Sequence, residues 1–191
     1  MKIFTFLFCF FTMISWNLHS QDKKLTLKTG VGYYTDVMTW PDGPIIWLEG
    51  GYRFQTDFYL NTRLSMATID WEINNETFSG YKTISLRQML DVTFSRPLRI
   101  ADNHFLEPGL GFKLKREYHL LPDVSLEEIS GQLYLSTNYS YIFYEIGFTA
   151  NIDYYYRFSS GFFLGLRADT NVIWALGFEG LTISPLFGFR F

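Results

Sequence analysis

Apolar and polar residues alternate one for one through most of this chain, and the alternation comes in blocks. Over residues 25 to 34, Leu25, Leu27, Val31 and Tyr33 fall on one face, with Lys28, Gly30 and Gly32 on the other. Residues 44 to 54 set Ile46, Leu48, Tyr52 and Phe54 against Trp47, Glu49 and Arg53, and residues 58 to 70 set Phe58, Leu60, Leu64 and Met66 against Asn61, Arg63 and Ser65. Residues 81 to 95 oppose Ile84, Leu86, Leu90, Val92 and Phe94 to Ser85, Arg87, Asp91 and Thr93. Residues 104 to 116 oppose Leu106, Leu110, Phe112 and Leu114 to Glu107, Gly109, Gly111, Lys113 and Lys115. The longest block, 142 to 158, alternates Ile142, Tyr144, Ile146, Phe148, Ala150, Ile152, Tyr154 and Tyr156 with Glu145, Gly147, Thr149, Asn151, Asp153 and Arg157. Residues 162 to 172 place Leu164, Leu166, Ala168 and Val172 opposite Gly165, Arg167, Asp169 and Asn171. In the last block, Leu181, Ile183, Phe187, Phe189 and Phe191 face away from Thr182, Ser184, Gly188 and Arg190. A period of two is the mark of a strand with one greasy and one polar face, so the chain reads as all-β with eight strands.

The connections alternate in length. Residues 35 to 43 (with Pro41-Asp42-Gly43), 71 to 80, 117 to 141 and 173 to 180 are longer, whereas 55 to 57, 96 to 103 and 159 to 161 are short. Within the longest, residues 133 to 139 are expected to extend the sixth strand. Short turns at one end and longer loops at the other are the habit of membrane barrels whose termini lie together on the short-turn side. Each block has the nine to eleven residues that a tilted strand needs to cross a bilayer. Lipid offers no partner to an open sheet edge, so the first and last strands must pair. The expected fold is therefore an eight-stranded antiparallel up-and-down transmembrane β-barrel. Pro185 lacks a donor in a strand paired on both sides, which predicts a bulge or local irregularity there.

Aromatics gather where two membrane interfaces would be. Tyr52, Phe54, Phe58, Phe94, Tyr154, Tyr156, Phe158, Phe162, Phe189 and Phe191 lie beside the short turns, and Tyr33, Trp40, Trp47, Tyr81, Tyr144 and Trp174 lie towards the loops. Composition agrees: aromatics make up 20% of the 191 residues. The mean hydropathy is near zero, because alternation hides apolar strands from any sliding average.

The first residues behave differently. Met1-Lys2 followed by the apolar run 3 to 14 has the dimensions of a signal peptide and is too short to span a bilayer as a helix. Cleavage after Ser20 is expected, leaving residues 21 to 191 as the barrel and removing Cys9, so neither a disulfide framework nor a thiol nucleophile remains. Without Lys2, 15 Lys and Arg stand against 19 Asp and Glu, about −4, which gives no footprint for nucleic acid.

The final block, L-T-I-S-P-L-F-G-F-R-F, resembles the C-terminal signal of Gram-negative outer-membrane β-barrels. In those proteins, alternating aromatics such as Phe187 and Phe189 before a terminal Phe such as Phe191 are read by the barrel-assembly machinery. In size and pattern the chain is similar to the eight-stranded OmpA/OmpX/OmpW-like proteins. The resemblance implies export to the cell outer membrane, contact with outer-membrane lipid and lipopolysaccharide, and a monomer. It does not identify an extracellular partner. No peptidoglycan-binding domain is expected after Phe191.

The polar face holds the candidate constellation. Lys28, Arg53, Arg63, Arg87, Lys113, Lys115, Arg157, Arg167 and Arg190 are expected inside with Glu49, Asp91, Glu107, Glu145, Asp153 and Asp169. An eight-stranded barrel is just wide enough to be filled by side chains. An unpaired buried ion costs several kcal/mol, so these groups must pair or hold water. The leading reading is a structural ion-pair plug in a protein that acts through its surface loops, with no cofactor. A passive conduit or binder for small molecules is the alternative. A third reading, a lipid A deacylase-like enzyme, needs Ser held by His and a carboxylate. Beyond His19 only His104 and His119 remain, and neither has a Ser two positions later. Two separated histidines give no metal-ligand spacing either.

Overall fold

The computed structural model describes residues 24–37, 42–54, 57–73, 81–121, 125–129, 132–136, 139–174 and 177–191. The expected signal segment, residues 1 to 20, lies outside them, as do Trp40 and the side chain of Tyr81. The strands are β1 Leu25–Asp36, β2 Asp42–Arg53, β3 Tyr59–Ile73, β4 Tyr81–Ser95, β5 Leu98–Ala101, β6 His104–Leu121, β7 Ser125–Ile129, β8 Gln132–Ser136, β9 Tyr139–Arg157, β10 Phe162–Ile173 and β11 Gly177–Arg190. Eight of them, taken in the order β4-β3-β2-β1-β11-β10-β9-β6, are hydrogen-bonded antiparallel neighbours, and β4 pairs with β6 to close the circle. The fold is a closed eight-stranded antiparallel barrel.

Alternation decides which side chains face which way. Leu64, Phe112, Ile146, Leu166 and Ile183 stand exposed on the outer wall, while Lys28, Glu49, Arg63, Asp91, Asp153 and Arg167 are buried in the bore. This is the inverse of a soluble protein, and it is the arrangement lipid demands. No helix among the described residues is long and apolar enough to cross a membrane.

The seam between β1 and β11 joins the first and last strands. Thr26 is opposite Arg190, Thr29 opposite Phe187 and Tyr33 opposite Ile183. The Phe191 amide donates to the Leu25 carbonyl at 2.9 Å. Pro185 sits where this ladder is interrupted, between the Thr29 and Tyr33 pairings, yet the register is the same on both sides. The irregularity is a gap in the ladder with no bulge. The register shift on β11 falls elsewhere, opposite Asn171 and Val172. Gly30 faces the gap, and a Cβ there would collide with the Pro185 carbonyl oxygen. At the opposite strand ends, Phe158 donates to the Phe162 carbonyl at 2.8 Å across a turn in which Gly161 takes φ 90°.

The strands run further towards the loop end than the apolar alternation does. β6 continues to Leu121 and β9 begins at Tyr139, so Glu117 belongs to a strand and not to the longest connection. Residues 133 to 136 lie in β8, which pairs with β7 as a separate two-stranded sheet and does not prolong the sixth barrel strand. β11 likewise begins at Gly177, which shortens the loop expected over 173 to 180. The physical reason is that the end of outward apolar residues marks the edge of the lipid belt, beyond which a strand continues in water. The 19 residues of β9 extend about 60 Å, far more than an apolar belt about 25 Å tall requires even at a steep tilt.

Candidate functional site

The bore is spanned by ion pairs that connect opposite walls. Lys28 on β1 reaches straight across the barrel, its Nζ lying 2.8 Å from Glu107 on β6, 2.9 Å from Asp153 on β9 and 3.3 Å from Glu49 on the adjacent β2. Arg167 on β10 donates two hydrogen bonds to Glu49, at 2.6 and 3.0 Å, and two more to Asp153, both at 2.6 Å. Its guanidinium also lies 4.3 Å from the centre of the Trp47 ring. Arg63 on β3 donates to Asp91 on its neighbour β4 at 2.7 Å and to Asp169 on the far wall at 2.9 and 3.2 Å. Lys113 adds a second cation to Asp91 at 3.2 Å. These groups are buried, and the fork of arginine suits them to two-oxygen acceptors.

A second tier sits nearer the loop end. Arg87 meets Asp36 at 2.8 Å and Glu117 at 2.7 Å, and donates to the Tyr34 hydroxyl at 3.0 Å. Lys115 pairs with Glu117 at 2.9 Å and also with Glu145 and Glu179. Glu117, Glu145 and Glu179 place their carboxylate oxygens within 4.8 Å of one another, close enough to share a cation. The Lys115 ammonium serves as that cation. Ser85 donates to Glu117 at 2.7 Å and Asn171 to Glu179 at 3.1 Å.

Three of the inward charges expected from sequence stand apart from this lattice. Arg53 pairs with Asp57 in the exposed turn at 3.2 Å. Arg157 lies over the Phe105 ring at 4.2 Å and Arg190 over the Tyr59 ring at 5.6 Å, where the two line the short-turn mouth. Conversely, Asp36, Glu117 and Glu179 join the lattice although the expected loops contained them. Charge is therefore graded along the axis: cations cluster at the short-turn mouth, while four carboxylates surround Arg87 and Lys115 at the other end.

The interior is not purely polar. Trp47, Phe105, Tyr155, Phe163 and Leu186 pack together inside, and Tyr34, Ile45, Ala67, Ile69 and Met89 form a second apolar cluster. Trp47 thus belongs to the bore and not to the loop-side girdle, and its indole donates to the Ser184 hydroxyl at 2.9 Å. Tyr155 donates to Glu107 at 3.1 Å. The signal for this core was strict parity: Phe105 shares a face with Glu107, Tyr155 with Asp153, and Phe163 with Gly165. The short-turn girdle lies outside, with ring contacts between Tyr156 and Phe158 at 4.8 Å and between Phe189 and Phe191 at 4.9 Å. Phe187 stands on the same outer wall. His104 joins this girdle, its Nδ1 lying 2.8 Å from the Tyr154 hydroxyl. The side chain of His119 lies outside the described residues.

No protein-family model matches the chain, and neither does any curated protein. Solved structures do. Neisserial surface protein A is 10% identical, with a TM-score of 0.58 over 89% of this chain and 98% of its own. OprG, an outer membrane protein of Pseudomonas aeruginosa, is 8% identical, with a TM-score of 0.57 over 88% of this chain and 95% of its own. Ail, the attachment invasion locus protein of Yersinia pestis, solved with the heparin analogue sucrose octasulfate, is 13% identical, with a TM-score of 0.52 over 88% of this chain and 99% of its own. Identities this low carry the fold alone, and that fold is the eight-stranded β-barrel of bacterial outer-membrane proteins.

Proposed function

We propose that this protein resides in the outer membrane as a structural or surface-interaction protein, with its loops as the acting part and no catalytic role. The observation that supports this most directly is the lattice of Lys28, Arg63 and Arg167 with carboxylates on opposite walls, which spans the bore with paired charges. Moving solute through would require parting pairs at 2.6 to 2.9 Å that no water replaces freely. At the loop end the strands run past the length a lipid belt requires, and β7 and β8 form a small sheet of their own. The outer wall would contact outer-membrane lipid and lipopolysaccharide, and Phe187, Phe189 and Phe191 would be read by the barrel-assembly machinery.

The deciding experiment joins two measurements. The full chain is expressed in a Gram-negative host, outer membranes are isolated, and gel mobility of boiled and unboiled protein is compared. The purified barrel is then placed in planar bilayers. A mobility shift without conductance steps is the expected result. Reproducible conductance that disappears on replacing Arg167 or Glu49 would overturn the plug reading in favour of a conduit. For catalysis, His119→Ala should leave the lipid A mass spectrum of the host unchanged. A lost modification would make the protein an enzyme.

A further inference from the structure

The lipid-facing wall is not uniform. An open trough of about 680 Å³ runs across it from Thr29 on β1 to Tyr144 on β9, floored by apolar side chains such as Ile46, Leu64, Leu90 and Leu114. Its rim carries the anomaly. Arg116 and Gln88 point outwards from β6 and β4, where the register sets them directly opposite each other, and Arg116 donates to the Gln88 side-chain oxygen at 2.9 Å. Tyr144, 69% exposed, is the register partner of Arg116 on the other side. Among the described residues no carboxylate is paired with Arg116, although every cation deep in the bore has one.

An arginine on the lipid face is unfavourable, by up to ~2–4 kcal/mol at mid-bilayer and less near an interface, unless something anionic meets it. Arg116 lies in the last third of β6, towards the loop end, with exposed Ile84 on β4 and Ile142 on β9 nearer that end still. Gln88 occupies one of its N–H groups and leaves the rest of the fork for a two-oxygen anion such as phosphate. The tyrosine beside it is a residue type enriched where a membrane meets water. Below, the trough crosses β2, β3, β4 and β6, about 15 Å of wall at the spacing of paired strands, which is room for several acyl chains side by side.

We propose that this trough is a site for one phosphorylated, multiply acylated glycolipid of the outer leaflet, with its acyl chains along the apolar floor and a phosphate held by Arg116. The proposal rests on the outer-membrane reading above. The breadth of the floor favours a lipid with more than two chains over a glycerophospholipid.

The test uses native mass spectrometry of the folded full barrel in detergent micelles, with diphosphorylated lipid A, the same lipid with its phosphates removed, and phosphatidylglycerol as probes. Diphosphorylated lipid A should bind one copy, and Arg116→Gln should weaken it roughly tenfold or more. Arg99→Gln, at the short-turn end beside Asp102, should leave it unchanged. Equal binding of the dephosphorylated lipid, or unchanged binding to the Arg116→Gln protein, would overturn the proposal. Equal binding of phosphatidylglycerol would overturn the glycolipid assignment. Each variant is first checked for its heat-dependent mobility shift. If Arg116→Gln fails that check, the three lipids compared on the unaltered protein decide alone. Absence of a shift in the unaltered protein would instead sink the barrel reading itself.

Discussion

Removing the guanidinium of Arg167, which donates to both Glu49 and Asp153, would leave those two buried carboxylates to share the Lys28 ammonium with Glu107. Breaking a buried pair from one side costs about 3–5 kcal/mol, so Arg167→Met should lower unfolding free energy by that order in a urea titration followed by tryptophan fluorescence. Arg99→Met, whose partner Asp102 is fully exposed, should be indistinguishable from the parent in the same titration. A different failure is expected at Gly30. Gly30→Val would drive its side chain against the Pro185 carbonyl oxygen and the Trp47 ring, and should weaken the β1 and β11 seam enough to lower the temperature of the mobility shift. At this scale parity in the sequence assigned Glu49, Arg63, Asp91 and Arg167 to the inner face. It could not say that Arg53, Arg157 and Arg190 would end near a mouth, because an inward direction carries no information about depth.

Among the elements, β11 has a double task. It closes the sheet through Thr26 to Arg190 and Tyr33 to Ile183 pairing, and it displays Phe187, Phe189 and Phe191 outwards. Deleting Phe191 removes one backbone hydrogen bond to the Leu25 carbonyl and one outer ring. The purified protein should still refold in detergent with a mobility shift, while the fraction reaching the outer membrane in cells should fall. Loss of refolding as well would mean that the residue acts in stability before it acts as a signal. The eight barrel strands were legible because alternation is enforced by two unlike solvents, lipid and bore. Their upper ends were not, since a strand leaving the lipid belt no longer needs outward apolar residues. That is why the alternation alone leaves Asp36, Glu117 and Glu179 in loops. The pair β7 and β8 lies outside the barrel sheet, and strands of five residues are too short to carry a readable alternation. Removing residues 123 to 137 should leave the mobility shift intact, whereas a lost shift would show that the hairpin supports the barrel.

For the whole molecule, the bracing of the bore matters more than any single pair. Lys28 ties β1 to β6 and β9, Arg63 ties β3 to β10, and Arg167 ties β10 to β2. An empty cylinder of eight strands can flatten into an oval at little cost, since bending a sheet strains no covalent bond. These tethers act as spokes in a wheel and oppose that mode along several diameters at once. Changes in lateral pressure would then tilt the barrel as a rigid body before deforming its cross-section, and a pull on the longer loops would pass undiminished to the short-turn rim. Under such a pull the structure should hold without stretching and then give way in one step, as a brittle object does.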